Sequence, residues 1–130
     1  MIRKNISSGA PWEDIVGYSR AVKVGNQVFV SGTTAVNENG EVNSNSVYEQ
    51  VKFIFQKIES ALNQAGAAMS DVVRSRVFTT DISKWEEIGK AHGEIFKTIK
   101  PASTMVEIRA LISPSILVEI EVDAVINGES

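Results

Sequence analysis

The sequence predicts an α+β sandwich, one β-sheet carrying two helices on a single face. Three observations predict it. Two segments repeat apolar residues at helical spacing and are bounded by capping and stop residues. The stretches around them are rich in β-branched residues. The segment Leu117–Val125 alternates strictly, with Val118, Ile120, Val122 and Ala124 on one side and Glu119, Glu121 and Asp123 on the other.

Residues 7–18 hold Gly9, Pro11 and Gly17 and read as a loop. Ala21–Val24 and Gln27–Ser31 are β-prone runs around Gly25-Asn26, a hairpin signal. Gly32 ends or kinks the second run, and Asn39-Gly40 marks a turn in the polar stretch 37–45. Ser46 and Glu49 have capping-box spacing ahead of a helix whose stripe is Val47, Val51, Ile54, Phe55, Ile58, Leu62 and Ala65, with Gly66 closing it. Val72–Thr80 is a strand on which Arg74 and Arg76 alternate with small or apolar residues. A second capping box, Ser83 with Glu86, opens a helix whose core face is Trp85, Ile88, Ala91, Ile95 and Phe96. Lys100-Pro101 ends it, because a residue preceding proline avoids the α region. Strands over 104–111 and 117–125 follow, giving the order β-β-α-β-α-β-β. Phe29, Phe78 and Met105 are expected on the sheet face away from the helices, favouring sheet-to-sheet packing in an oligomer.

The 130 residues fit one domain spanning 1–130. A net charge of -3 and the lack of a basic cluster leave no electrostatic footprint for nucleic acid or an anionic membrane. The absence of cysteine excludes disulfides, thiolate nucleophiles and Cys-ligated metals, and fits a cytoplasmic location. The N-terminus carries no secretory pattern, and no apolar run is long enough to span a bilayer. Nucleotide-phosphate loops, paired metal-binding histidines and a nucleophile elbow are all missing, so no cofactor or metal is expected.

The candidate chemistry is therefore narrow. Glu119, Glu121 and Asp123 share one strand face at roughly 7 Å spacing, so their charges repel and raise one another's pKa. Arg74, Arg76 and Arg109 are candidate partners, and an ion-pair ladder without catalytic duty is the plain alternative. His92, the single histidine, reads as a packing or hydrogen-bonding residue near the second helix's apolar stripe. Ser31-Gly32-Thr33-Thr34 and Ser103-Thr104 place hydroxyls at strand ends, suited to turns or to hydrogen-bonding a ligand.

Several segments together resemble the RidA family, also called YjgF or YER057c-type proteins. They are Gly17-Tyr18-Ser19-Arg20-Ala21, Val28-Phe29-Val30-Ser31-Gly32, Asp71-Val72-Val73 leading to Val77-Phe78-Thr79-Thr80-Asp81, Lys100-Pro101-Ala102-Ser103-Thr104-Met105-Val106-Glu107, and Leu117-Val118-Glu119-Ile120-Glu121. The resemblance implies a chorismate-mutase-like fold, a homotrimer, and clefts between subunits that bind small carboxylates. It implies cofactor-free hydrolysis of enamines and imines to 2-oxo acids and ammonia. Glu119 matches the acidic residue that orients or activates water, and Tyr18 a cleft tyrosine. Gly32, Met105 and His92 are the other expected substrate-contacting positions. Ser103 departs from the pattern, since deaminating members carry there an arginine that clamps the substrate carboxylate. An arginine–carboxylate pair is worth about 1.5–3 kcal/mol, so altered selectivity is expected. The resemblance leaves two further expectations open: a non-catalytic metabolite sensor, and the endoribonuclease or translation-inhibitor activity attached to the family, which the charge disfavours.

Overall fold

The computed structural model describes residues 2–127. Six strands form one mixed sheet: β1 (Arg3–Ile6), β2 (Ala21–Val24), β3 (Gln27–Thr33), β4 (Val72–Thr79), β5 (Ala102–Glu107) and β6 (Val118–Val125). Their spatial order is β1-β2-β3-β6-β4-β5. Only β4 and β5 pair in parallel; every other neighbouring pair is antiparallel. The parallel pair needs a crossover, and α2 (Trp85–Phe96) supplies it. The longer α1 (Val47–Gln64) joins β3 to β4.

The apolar stripe of α1 packs on the inward side chains of the central strands. Val51, Ile54, Ile58 and Leu62 are fully buried, as are Val28, Val118, Ile120 and Val122 on the strands. Each such side chain is worth about 1.5–3 kcal/mol of apolar burial. The predicted alternation of β6 holds: its apolar residues face the helices, and Glu119, Glu121 and Asp123 lie half-buried on the opposite, uncovered face. On that face Arg76 pairs with Asp123 at 3.3 Å.

At α1 the Gly66 stop holds and the capping box holds by half. The Ser46 hydroxyl accepts from the Glu49 N–H, but the Ser46 N–H donates to Ser44 Oγ rather than to Glu49, and Gly66 takes φ +85° just beyond the helix. Gly25 at φ +61° turns the β2–β3 hairpin. Lys100 adopts φ +53° before Pro101, and its N–H caps the Phe96 carbonyl at 2.8 Å.

Six expectations are corrected. Residues 3–6 form β1, an edge strand on which Ile6 alone is buried. The following loop contains one wide turn, in which the Tyr18 N–H reaches back five residues to the Glu13 carbonyl. Ser83 and Glu86 do not form a capping box: Asp81 accepts from the Ser83 N–H and caps a short 3-10 turn, Ile82–Lys84, that runs into α2. Trp85 is 56% exposed rather than core. A helical side chain leans towards the N-terminus, so in a first turn it points past the helix end. β5 ends at Glu107, so Arg109 lies beyond the strand and has no strand face. Met105 pairs in parallel register with buried Val77 and packs against the helix-side core, not on the uncovered face with Phe29 and Phe78.

Candidate functional site

The expected site residues fall into two groups on opposite sides of the sheet. Glu119, Gly32 and Tyr18 belong to the uncovered face. β6 presents Glu119 opposite Phe78 of β4, on the side away from the helices. Register shifts between Val30 and Thr33 where β3 meets β6, and Gly32 sits in that irregular step. A Cβ at Gly32 would lie 2.5 Å from Glu119 Oε2, so the missing side chain is the space the carboxylate occupies. Burial raises the Glu119 pKa above its ordinary value; the Arg20 guanidinium works against that rise, and Glu121 adds to it.

Arg20 is a functional neighbour that its place in the segment Gly17-Tyr18-Ser19-Arg20-Ala21 does not by itself reveal. Its Nη2 donates to the Gly32 carbonyl at 2.7 Å, and its Cζ stands 5.8 Å from the centre of the Tyr18 ring. Its buried Nε finds no acceptor among the described residues. Arg20 thus links Tyr18, Gly32 and Glu119. Tyr18 also lines an open cleft of about 500 Å3 with Arg3, Asn5, Ser19, Val22 and Ser31, and Glu119 is not part of its lining. Nearby on α1, the Lys57 ammonium donates to the Thr34 and Val36 carbonyls at 2.7 and 2.9 Å. Burial, with a contribution from Arg20, lowers its pKa to about 8.

Ser103, Met105 and His92 belong to the helix side. Parallel register sets Ser103 beside Ser75 of β4, and their hydroxyls are 2.8 Å apart. The same Ser75 hydroxyl is 2.8 Å from His92 Nε2. The His92 ring packs against Phe96 and Phe55, with centroids 4.7 and 5.8 Å away. Burial lowers its pKa, which keeps the imidazole neutral. Ser75 is fully buried, and the signal for it was parity: it shares the inward face of β4 with Val77 and Thr79.

One chain therefore does not bring Ser103 and Glu119 together, since they lie on different faces. Among the described residues no three His, Asp or Glu side chains cluster at metal-binding range, and no helix is long and apolar enough to cross a membrane.

A mixed sheet with two helices on one face and a glycine making room for a half-buried glutamate on the other define a two-layer α+β protein with a carboxylate site on its uncovered face. The comparisons agree. The family model described as Endoribonuclease L-PSP matches residues 9–126. The chain belongs to this family, also known as RidA/YjgF. The crystal structure of Rv2704 from Mycobacterium tuberculosis, a member of the YjgF/YER057c/UK114 family, is 46% identical with a TM-score of 0.89, covering 96% of this chain and 100% of that one. The E. coli YjgF gene product is 28% identical with a TM-score of 0.82, covering 94% of this chain and 98% of that one. A RutC family protein of Pyrococcus abyssi is 35% identical over 105 residues, covering 80% of this chain and 82% of its own length.

Proposed function

We propose that this protein hydrolyses a small reactive enamine or imine in a cleft shared between copies of a homotrimer, with Glu119 as the base that orients and deprotonates water. The observation that carries the reading is the Glu119 carboxylate, half-buried in the space above Gly32 with its pKa raised. Desolvation tunes such a group towards a working pH near neutral. The water oxygen bonds to the C=N carbon as the π pair moves to nitrogen, and the water proton passes through Glu119 to that nitrogen. The hydroxyl proton then follows by the same route, the C–N bond breaks, and the products are a carbonyl compound and ammonia.

The same geometry supports sharing. Glu119, Gly32 and Tyr18 lie on one face, while Ser103, Met105 and His92 lie on the other. A site that uses both groups needs the second from a neighbouring copy. Ser103 would hydrogen-bond the substrate, and Met105 with His92 would shape the pocket. Serine lacks the charged fork that holds a carboxylate, so substrates bearing one bind about 10- to 100-fold more weakly than they would to an arginine site.

The test is hydrolysis of a panel of enamines and imines, with and without a carboxylate, by wild type and Glu119→Ala. Turnover above the buffer rate, best without the carboxylate and lost in the variant, supports the reading. Buffer rates for both proteins contradict it. Thermal stabilisation by panel compounds without turnover would favour a metabolite-binding protein instead. Several relatives carry the name endoribonuclease. A chain of net charge -3 without a basic stripe gives that activity no support here.

A further inference from the structure

Ser75 is fully buried and stands between two partners, Ser103 Oγ and His92 Nε2, each at 2.8 Å. A hydroxyl has one proton to donate, so such a chain runs in one direction at a time. With the imidazole proton on Nδ1, Ser103 donates to Ser75 and Ser75 donates to His92. Ser103 is exposed on the edge strand β5, while the imidazole sits half-buried behind it against two phenylalanine rings. The outer end of the relay meets solvent, and the basic end is sheltered.

We propose that Ser103 is a nucleophile towards small activated acyl compounds, such as simple esters, with Ser75 and His92 relaying its proton. As Ser103 Oγ bonds to the acyl carbon, its proton passes to Ser75 and the Ser75 proton passes to His92 Nε2. The ester C–O bond then breaks, and the departing oxygen takes its proton directly from the Ser75 hydroxyl, which regains one from His92. In the second half, water bonds to the acyl carbon as its proton goes to Ser75 and the Ser75 proton to His92. The bond from the acyl carbon to Ser103 Oγ then breaks, and Ser103 recovers its proton through Ser75. The imidazole owes its lowered pKa to burial, so it is neutral and able to accept at neutral pH. An activating base is what a serine hydroxyl otherwise lacks. This activity is separate from the Glu119 chemistry and needs no imine.

The probe is a fluorophosphonate, which reacts with an activated serine by forming an O–P bond and releasing fluoride. Peptide mass spectrometry locates the adduct, and the chain's other serines give the internal baseline. Ser103 should label well above that baseline, faster as pH rises through the His92 titration. Ser75→Ala and His92→Gln should each slow labelling about 100-fold, and Ser75→Thr should retain most of the rate. His92→Gln keeps a polar group beside Ser75, so it reports even where Ser75→Ala folds poorly. Labelling of Ser103 no faster than the other serines, or a wild-type rate in both variants, overturns the proposal. Because the probe makes no use of Glu119 chemistry, failure here leaves the imine reading untouched.

Discussion

Gly32 and Glu119 interlock: a Cβ on the glycine would fall 2.5 Å from Oε2 of the glutamate and 3.0 Å from its Cδ. The contact explains the glycine by space rather than by backbone freedom, and it sets where the carboxylate can rest.

Gly32→Ala should therefore separate stability from function. The group that must give way is the end of a flexible side chain, so the folding cost should be about 1 kcal/mol. Displacing the carboxylate by about 1 Å should cost roughly 100-fold in turnover. Thermal unfolding and imine hydrolysis on the same sample check this. Unchanged turnover would show that Glu119 needs no fixed position.

Glu119→Gln should stabilise the protein at pH 7. Burial raises the folded-state pKa above the ordinary 4.5. Stability from a raised carboxyl is fully present below its unfolded pKa and is lost as pH rises through the folded value. At neutral pH the ionised glutamate is a burden that glutamine lacks. The melting-temperature gain should shrink to nothing below pH 4.5, the ordinary value. A variant less stable than wild type at pH 7 would contradict this assignment.

His92 has the opposite sign. Burial lowers its folded-state pKa from the ordinary 6.5. Its contribution is fully present above the unfolded value and is lost as pH falls through the folded one. Between pH 7 and pH 5, which brackets the ordinary value of 6.5, wild type should lose more stability than His92→Gln. Urea midpoints measured across that range check it, and parallel curves for the two proteins would count against a buried neutral imidazole.

Most of the fold is legible in the sequence because α1, α2 and β6 are strongly periodic and the two helices are punctuated by Ser46, Gly66 and Pro101. What escapes is what periodicity does not encode. β1 has too little apolar content to announce itself, since it is held by pairing to β2. Met105 takes its face from parallel register with Val77, a pairing partner that no local pattern names. Gln50 interrupts an apolar stripe, yet it is fully buried. Its amide donates to the Ser44 and Ser115 carbonyls and accepts from the Leu117 N–H, fastening the loop ahead of β6. Glu119, Tyr18 and Gly32 are legible through the family resemblance, but their neighbour Arg20 is joined to them only by the approach of β2 to β3. Ser75 is hidden in the same way, its role set by two residues 17 and 28 positions away.

The central claim is that Glu119 of one copy works with the Ser103 face of another. Two inactive variants, Glu119→Gln and Ser103→Trp, co-expressed with different tags and isolated as mixed oligomers, test it most directly. Every mixed trimer, of either composition, has about one site in three with both wild-type groups, so imine hydrolysis should recover to roughly a third of the wild-type rate. If each site belonged to a single chain, every site would carry a lesion, and mixed oligomers as inactive as the two parents would contradict the account.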